Sequence, residues 1–115
     1  MHELSVATAV LNTVLKHADG RPVEVVAMRV GQMRQVVPHS LRFYWEIVAR
    51  DTICEGSELE LSEITTRLQC RECDFEWEPL IPAFRCPGCG GSEVSVIAGE
   101  ELEVEHIEVK EAAHA

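Results

Sequence analysis

Four cysteines constrain this chain more than any other feature. Cys70, Cys73, Cys86 and Cys89 stand in the spacing C-x2-C-x12-C-x2-C. Two residues between paired cysteines let both thiolates converge on one ion while the backbone between them turns. Four thiolates with no open position suit Zn2+ held tetrahedrally in a structural site. Around them, in QCRECDFEWEPLIPAFRCPGCGGS (residues 69 to 92), hydrophobic periodicity fades, and cysteine, proline and glycine take over. So little apolar material cannot make a core, and a metal must replace one. Gly88 and Gly90 ease the tight positions beside the second pair.

Two other uses of the motif compete with structural zinc. Paired knuckles also hold a rubredoxin-type iron, and CPGCG is similar to one. The aromatic packing for a small redox domain is thin, with Phe75, Trp77 and Phe84 alone available. A nucleic-acid-binding ribbon needs a basic surface. Here Arg71 and Arg85 face Glu72, Asp74, Glu76 and Glu78, and four thiolates on Zn2+ add a double negative charge. The whole chain carries 10 basic and 20 acidic residues, a formal charge of −10. That balance fits a cationic ligand or a basic protein face and excludes a phosphate backbone. A zinc that simply holds a lobe together is favoured over chemistry at the metal.

The remainder can fold on its own terms, since 46% of the 115 residues are apolar. Leu4, Ala7, Leu11, Val14, Leu15 and Ala18 recur at helical spacing, with Val10 beside them, and Asp19-Gly20 with Pro22 supplies the stop. VEVVAMRVG (23 to 31) reads as a strand, with Gly31 either its end or a bulge. Pro38 opens a second helix, with Leu41, Tyr44 or Trp45, and Val48 on one face, ending near Asp51. ELELSEITTRL (58 to 68) alternates like a strand until Ile64. A last strand follows the cysteines, alternating at Leu102 and Val104 and slipping face at Ile107. The expected class is α+β: two helices packed on a three-stranded sheet, with an inserted small zinc-ribbon-like domain built on the four cysteines. The expected division is 1–67 plus 93–115 for the α/β unit and 68–92 for the metal lobe. The strand order stays open.

Nothing calls for an enzyme. Cys54 stands alone and reads as a small buried residue. A phosphate-binding glycine loop and a G-x-S-x-G elbow are both missing. The first apolar stretch is amphipathic, without the basic n-region and continuous h-region of a leader, and no run approaches a membrane span. The expected location is the cytoplasm.

The opening MHELS remains. His2 beside a chain terminus is ordinarily a frayed polar residue. Its chemistry offers more. The α-amino group of Met1, with a pKa near ~8, releases its proton at modest cost. The amide nitrogen and imidazole of His2 then close chelate rings, and the amide or carboxylate of Glu3 completes four donors. Planar nitrogen donors suit Ni2+ or Cu2+. A helix N-terminus disfavours a cation, and deprotonated amides with Glu3 offset that. Such a site needs Met1 retained, as expected before a large residue.

MHELS, the amphipathic helix after it, VGQM…VVPHSLRF, the two cysteine pairs and GEELEVEHIEV together resemble the HypA/HybF family of nickel metallochaperones. The resemblance spans essentially the whole chain. It implies Ni2+ bound by Met1, His2 and Glu3, and structural Zn2+ on Cys70, Cys73, Cys86 and Cys89. It implies work with a HypB-type GTPase, delivery to the hydrogenase large-subunit precursor, and in some members service to urease maturation proteins. Neither a nucleic acid nor a membrane is an expected partner, and the chain is expected as monomer or dimer. Hinges near Leu68 and Glu93 would couple the two lobes. The chain departs from the family at Val37, where many members carry an acid before the proline, and at Gln32, where many carry Glu. His39 nearby reads as an exposed helix-start residue, and His17, His106 and His114 as ordinary surface or strand residues. A zinc-stabilised interaction adaptor without nickel delivery is the alternative.

Overall fold

The computed structural model describes residues 3–80 and 84–110. Helix α1 (Glu3–Ala18) is followed by strand β1 (Val23–Gly31), a 3-10 turn (Gln32–Arg34) and helix α2 (Pro38–Ala49). Strands β2 (Glu58–Ile64), β3 (Arg67–Cys70), β4 (Glu76–Trp77), β5 (Val94–Ala98) and β6 (Leu102–Val109) follow among the described residues. They form two three-stranded sheets, in the orders β2-β1-β6 and β4-β3-β5.

β1 lies at the centre of the first sheet, parallel to β2 and antiparallel to β6. The parallel pair requires a crossover, and α2 provides it. Val26 and Met28 on β1 are fully buried beneath Val10 and Val14 of α1 and Leu41 and Trp45 of α2 in one apolar cluster. Trp45 donates its indole N–H to Ser57 Oγ at 3.0 Å, so the largest core side chain also leaves no polar atom unpaired.

The helical faces differ in detail from the expected ones. α1 buries Val6, Ala7, Val10, Leu11, Val14 and Ala18, whereas Leu4 and Leu15 are exposed. The buried stripe is therefore rotated toward Val6 and Val10, which a sequence with apolar residues around much of the helix does not specify. α2 buries Leu41, Trp45 and Ala49, with Tyr44 and Val48 half-buried and Phe43 and Ile47 outside.

The expected single strand over 58–68 is two strands. Its first part, β2, pairs with β1; its second, β3, begins the other sheet. The segment after the cysteines divides likewise. Val94–Ala98 pairs with β3, and the return to the first sheet comes at Leu102. The slip in the last strand is a bulge. Ala27 pairs with His106 and Met28 with Val104, so Glu105 is the extra residue. Inward positions accordingly change from Leu102 and Val104 to Ile107 and Val109.

The two crossovers between the sheets meet at Thr66 and Gly99. Gly99 has φ +112°, and a Cβ there would lie 2.7 Å from Thr66 Cα. Its N–H donates to Glu101 Oε1 at 2.8 Å. The backbone amides of Glu101 and Gly99 hold the Glu101 carboxyl below its ordinary range. Gly99→Ala is expected to cost about 1–3 kcal/mol, from left-handed strain and the clash with Thr66 backbone. Urea unfolding of the variant, read by far-UV circular dichroism, measures it.

Candidate metal centre

The two cysteine pairs sit in two copies of one turn. The Cys70 carbonyl accepts from Asp74 N–H at 3.0 Å, and Cys70 N–H donates to the Phe75 carbonyl at 2.8 Å. Correspondingly, the Cys86 carbonyl accepts from Gly90 N–H at 2.8 Å, and Cys86 N–H donates to the Gly91 carbonyl at 2.9 Å. The residue four places after each leading cysteine is left-handed: Asp74 at φ +63° and Gly90 at φ +74°. Aspartate tolerates that region through its short polar side chain, and glycine does so freely. Each turn also aims a backbone N–H at the leading sulfur. Glu72 N–H lies 3.4 Å from Cys70 Sγ and Gly88 N–H 3.3 Å from Cys86 Sγ.

β3 delivers the first turn. It pairs with β4 through Leu68 and Gln69 and with β5 along its length. Arg71 N–H donates to the Glu93 carbonyl at 2.7 Å, fixing the return from the second turn. Phe75 and Trp77 stack with ring centroids 6.0 Å apart. Among the described residues of this lobe, only Leu68, Cys70 and Cys86 are deeply buried apolar side chains. Apolar burial alone is a weak basis for its stability.

The four sulfurs lie within 4.8 Å of one another. Cys70 and Cys89 Sγ are 3.6 Å apart, as are Cys73 and Cys86 Sγ. Four sulfurs at the Zn–S distance on a tetrahedron stand roughly 3.8 Å apart. The cluster therefore matches a tetrahedral tetrathiolate, with Cys70 and Cys86 buried and Cys73 and Cys89 toward solvent. Its electrostatics point the same way. Burial pushes the Cys86 thiol up, but the Cys89 and Gly88 amides and neighbouring thiols outweigh it and bring it to about 7. The Phe75 amide lowers Cys73, yet crowding by Cys86, burial and the other sulfurs drives it to about 12. Against the lowering Gly91 amide, Cys89 also ends up raised, chiefly by Cys70. Four thiolates share this space only around a cation, so metal uptake releases protons and acid opposes it.

Of the residues expected at the amino terminus, Met1 and His2 lie outside the described residues, as does His114. Glu3 opens α1, and its Oε2 accepts Val37 N–H at 3.4 Å. That bond ties the start of α1 to the residue preceding Pro38, a link with no local signal in the sequence. His39 is exposed at the start of α2. His17 lines a groove between α1 and β6 with His106, whose Nε2 lies 3.6 Å from Glu108 Oε2. Cys54 is fully buried in the main core, and burial raises its thiol. Among the described residues, the four cysteines are the only cluster of three or more metal-capable side chains. No helix of the described residues is long and apolar enough to cross a membrane.

A helix-covered mixed sheet bearing a second small sheet with four converging cysteines defines a two-sheet α+β protein whose sulfur cluster could hold a metal ion. Comparison with known proteins gives its kind. Residues 1–109 match the family described as hydrogenase/urease nickel incorporation, metallochaperone, HypA. The hydrogenase maturation factor HypA of Geobacter sp. (strain M21) is 38% identical over 111 residues, covering 96% of this chain and 100% of the relative. That of Geotalea uraniireducens is 36% identical over 110 residues, covering 96% and 100%. The solution structure of the Ni metallochaperone HypA from Helicobacter pylori superposes with a TM-score of 0.70 at 20% identity, covering 95% of this chain and 97% of that one. The chain belongs to the HypA family of nickel metallochaperones for hydrogenase maturation.

Proposed function

We propose that this chain carries Ni2+ on its amino-terminal residues and passes it to a hydrogenase precursor, while a structural Zn2+ holds the second sheet. Met1, His2 and Glu3 are the proposed nickel donors. The His2 imidazole anchors the ion, with the Met1 amine and backbone nitrogen completing the plane. Cys70, Cys73, Cys86 and Cys89 are the proposed zinc ligands, and the fit of their sulfurs to a tetrahedron supports them. The observation that carries the nickel reading is the family match from residue 1, which includes MHE within its span.

The chemistry of carriage requires no turnover, so the protein is read as a carrier and not an enzyme. A site at a chain end allows nickel to leave donor by donor onto an acceptor. Glu3 is held to Val37 through one carboxylate oxygen, which brings negative charge to a helix N-terminus that would otherwise repel the cation. A HypB-type GTPase and the hydrogenase large-subunit precursor are the proposed partners, with urease maturation proteins as a further client. The proposed location is the cytoplasm.

Calorimetric titration of Ni2+ into zinc-loaded, untagged protein tests the site. Wild type is expected to bind about one nickel per chain, and His2→Ala to lose at least tenfold in affinity with its zinc retained, as loss of one ligand of few implies. Equal binding by both would remove the amino terminus as the site and leave a zinc-stabilised adaptor.

A further inference from the structure

Nickel carriage leaves the chain's formal charge of −10 without a use, and part of that charge gathers on one surface. The helices cover one face of the first sheet, packing on Val26, Met28 and Val30 of β1. The alternate residues of β1 point to the other face. There the register sets Val25 between Glu58 of β2 and Glu108 of β6, and Ala27 between Glu60 of β2 and His106 of β6. Neither Val25 nor Ala27 belongs to the apolar core cluster, and the four residues flanking them are exposed. The face is thus a shallow trough, with two small apolar side chains as its floor and longer polar ones as its walls. One step along, Arg29 Nη1 holds Glu103 Oε1 at 3.0 Å, and His106 Nε2 lies 3.6 Å from Glu108 Oε2. Among the described residues Glu58 and Glu60 form no ion pair, so the β2 wall keeps its full negative charge.

We propose that the helix-free face of the first sheet is a docking surface for a basic α-helix of a partner protein, whose small residues sit on Val25 and Ala27 and whose lysines or arginines reach the glutamates on both walls. The surface does not depend on nickel binding at the amino terminus. Three strands span about 10 Å from first to last, close to the ~10–12 Å width of one helix. Val25 and Ala27 at the centre let a helix come close, and charges on both sides hold it in line. A second copy of this chain does not fit, because glutamates would then face glutamates. A nucleic acid is repelled for the same reason. Along β1 the trough runs about 16 Å over five residues, so its area is far below the roughly 800 Å² per partner of a stable complex. Association through this face is therefore weak, steered by charge and sensitive to salt, as a transient meeting with a partner requires.

The test uses the full chain, labelled with 15N, zinc-loaded and free of nickel, with two synthetic helical peptides of one composition. In the first peptide lysines flank a stripe of alanines; in the second the same residues are permuted so that lysines surround the helix. The first is expected to move the Val25, Ala27 and Arg29 amide resonances and those of their partners in β2 and β6, and to leave the Phe43 and Ile47 amides of α2 in place. It is expected to bind more tightly than the second and to weaken as salt is raised. Replacing Glu58, Glu60 and Glu108 together by glutamine is expected to weaken the first peptide about tenfold, as the loss of several exposed charge pairs implies. Ala27→Gln keeps every charge and is expected to weaken it by a comparable factor, because the longer side chain fills the floor of the trough. Val25→Gln makes the same change one row away should Ala27→Gln not fold. Equal binding of the two peptides would show charge attraction without a seat. That result, or an affinity unchanged by the three glutamines or by glutamine in the floor, overturns the proposal.

Discussion

Cys86→Ser is expected to abolish the proposed zinc binding and to unfold the second sheet while the first stays intact. Cys86 is a buried member of the sulfur cluster, and Gly88 N–H is aimed at its sulfur. Structural zinc supplies about 10–16 kcal/mol to small domains that bind it. The lobe has no comparable apolar reserve, since Leu68 is its one fully buried aliphatic side chain among the described residues. A serine hydroxyl is a poor ligand beside three thiolates, so most of the metal's contribution is lost. The main core contains none of the residues of β3, β4 or β5, which isolates the damage. Hydrogen exchange reads both parts at once: protection of the Leu68 and Cys70 amides disappears, and that of the Val26 and Met28 amides persists. Zinc analysis of the same sample gives the stoichiometry.

The complementary failure is expected from Trp45→Ala. Truncating a buried tryptophan costs about 3–5 kcal/mol, a large fraction of the roughly 5–15 kcal/mol that holds a typical domain. Trp45 is 2% exposed and packs in the cluster shared by both helices and the first sheet. Its indole bond to Ser57 is lost as well, although Ser57 Oγ keeps the Cys54 carbonyl as a partner. The urea midpoint of the helical signal is expected to fall steeply, with zinc retained under native conditions. Loss of zinc in parallel with helical structure would show that the two lobes do not hold their stabilities separately.

The parts of this molecule that depend on local chemistry were legible in its sequence. Asp19-Gly20 ends α1 because both residues take left-handed angles, at φ +52° and +78°. Pro38 opens α2 because its missing N–H costs nothing there. The cysteine spacing predicted convergence, and the sulfurs converge. Long-range choices were not legible. Nothing local in ELELSEITTRL shows that Thr65 and Thr66 pass between two sheets, because the alternation that marks a strand is silent about its partner. The same holds for Val94–Ala98, whose side chains would suit either sheet. The rotation of α1 toward Val6 follows from packing against β6 and α2, which no residue of α1 encodes alone. In the sequence, Gln32 reads as a neutral substitute for a family acid, and Val37 as the loss of one. Their bonds to Thr66 and Glu3 join segments far apart in the chain and leave no mark in the sequence.

Delivery of nickel from the amino terminus for hydrogenase maturation is the function proposed for this chain. The most direct measurement is hydrogenase activity in cells lacking the native copy, at limiting nickel, with wild type or His2→Ala supplied at equal protein level and zinc content. Wild type is expected to restore activity. His2→Ala is expected to leave it near the level of the deletion, with recovery when nickel is added in excess. Full restoration by His2→Ala at limiting nickel would contradict the account.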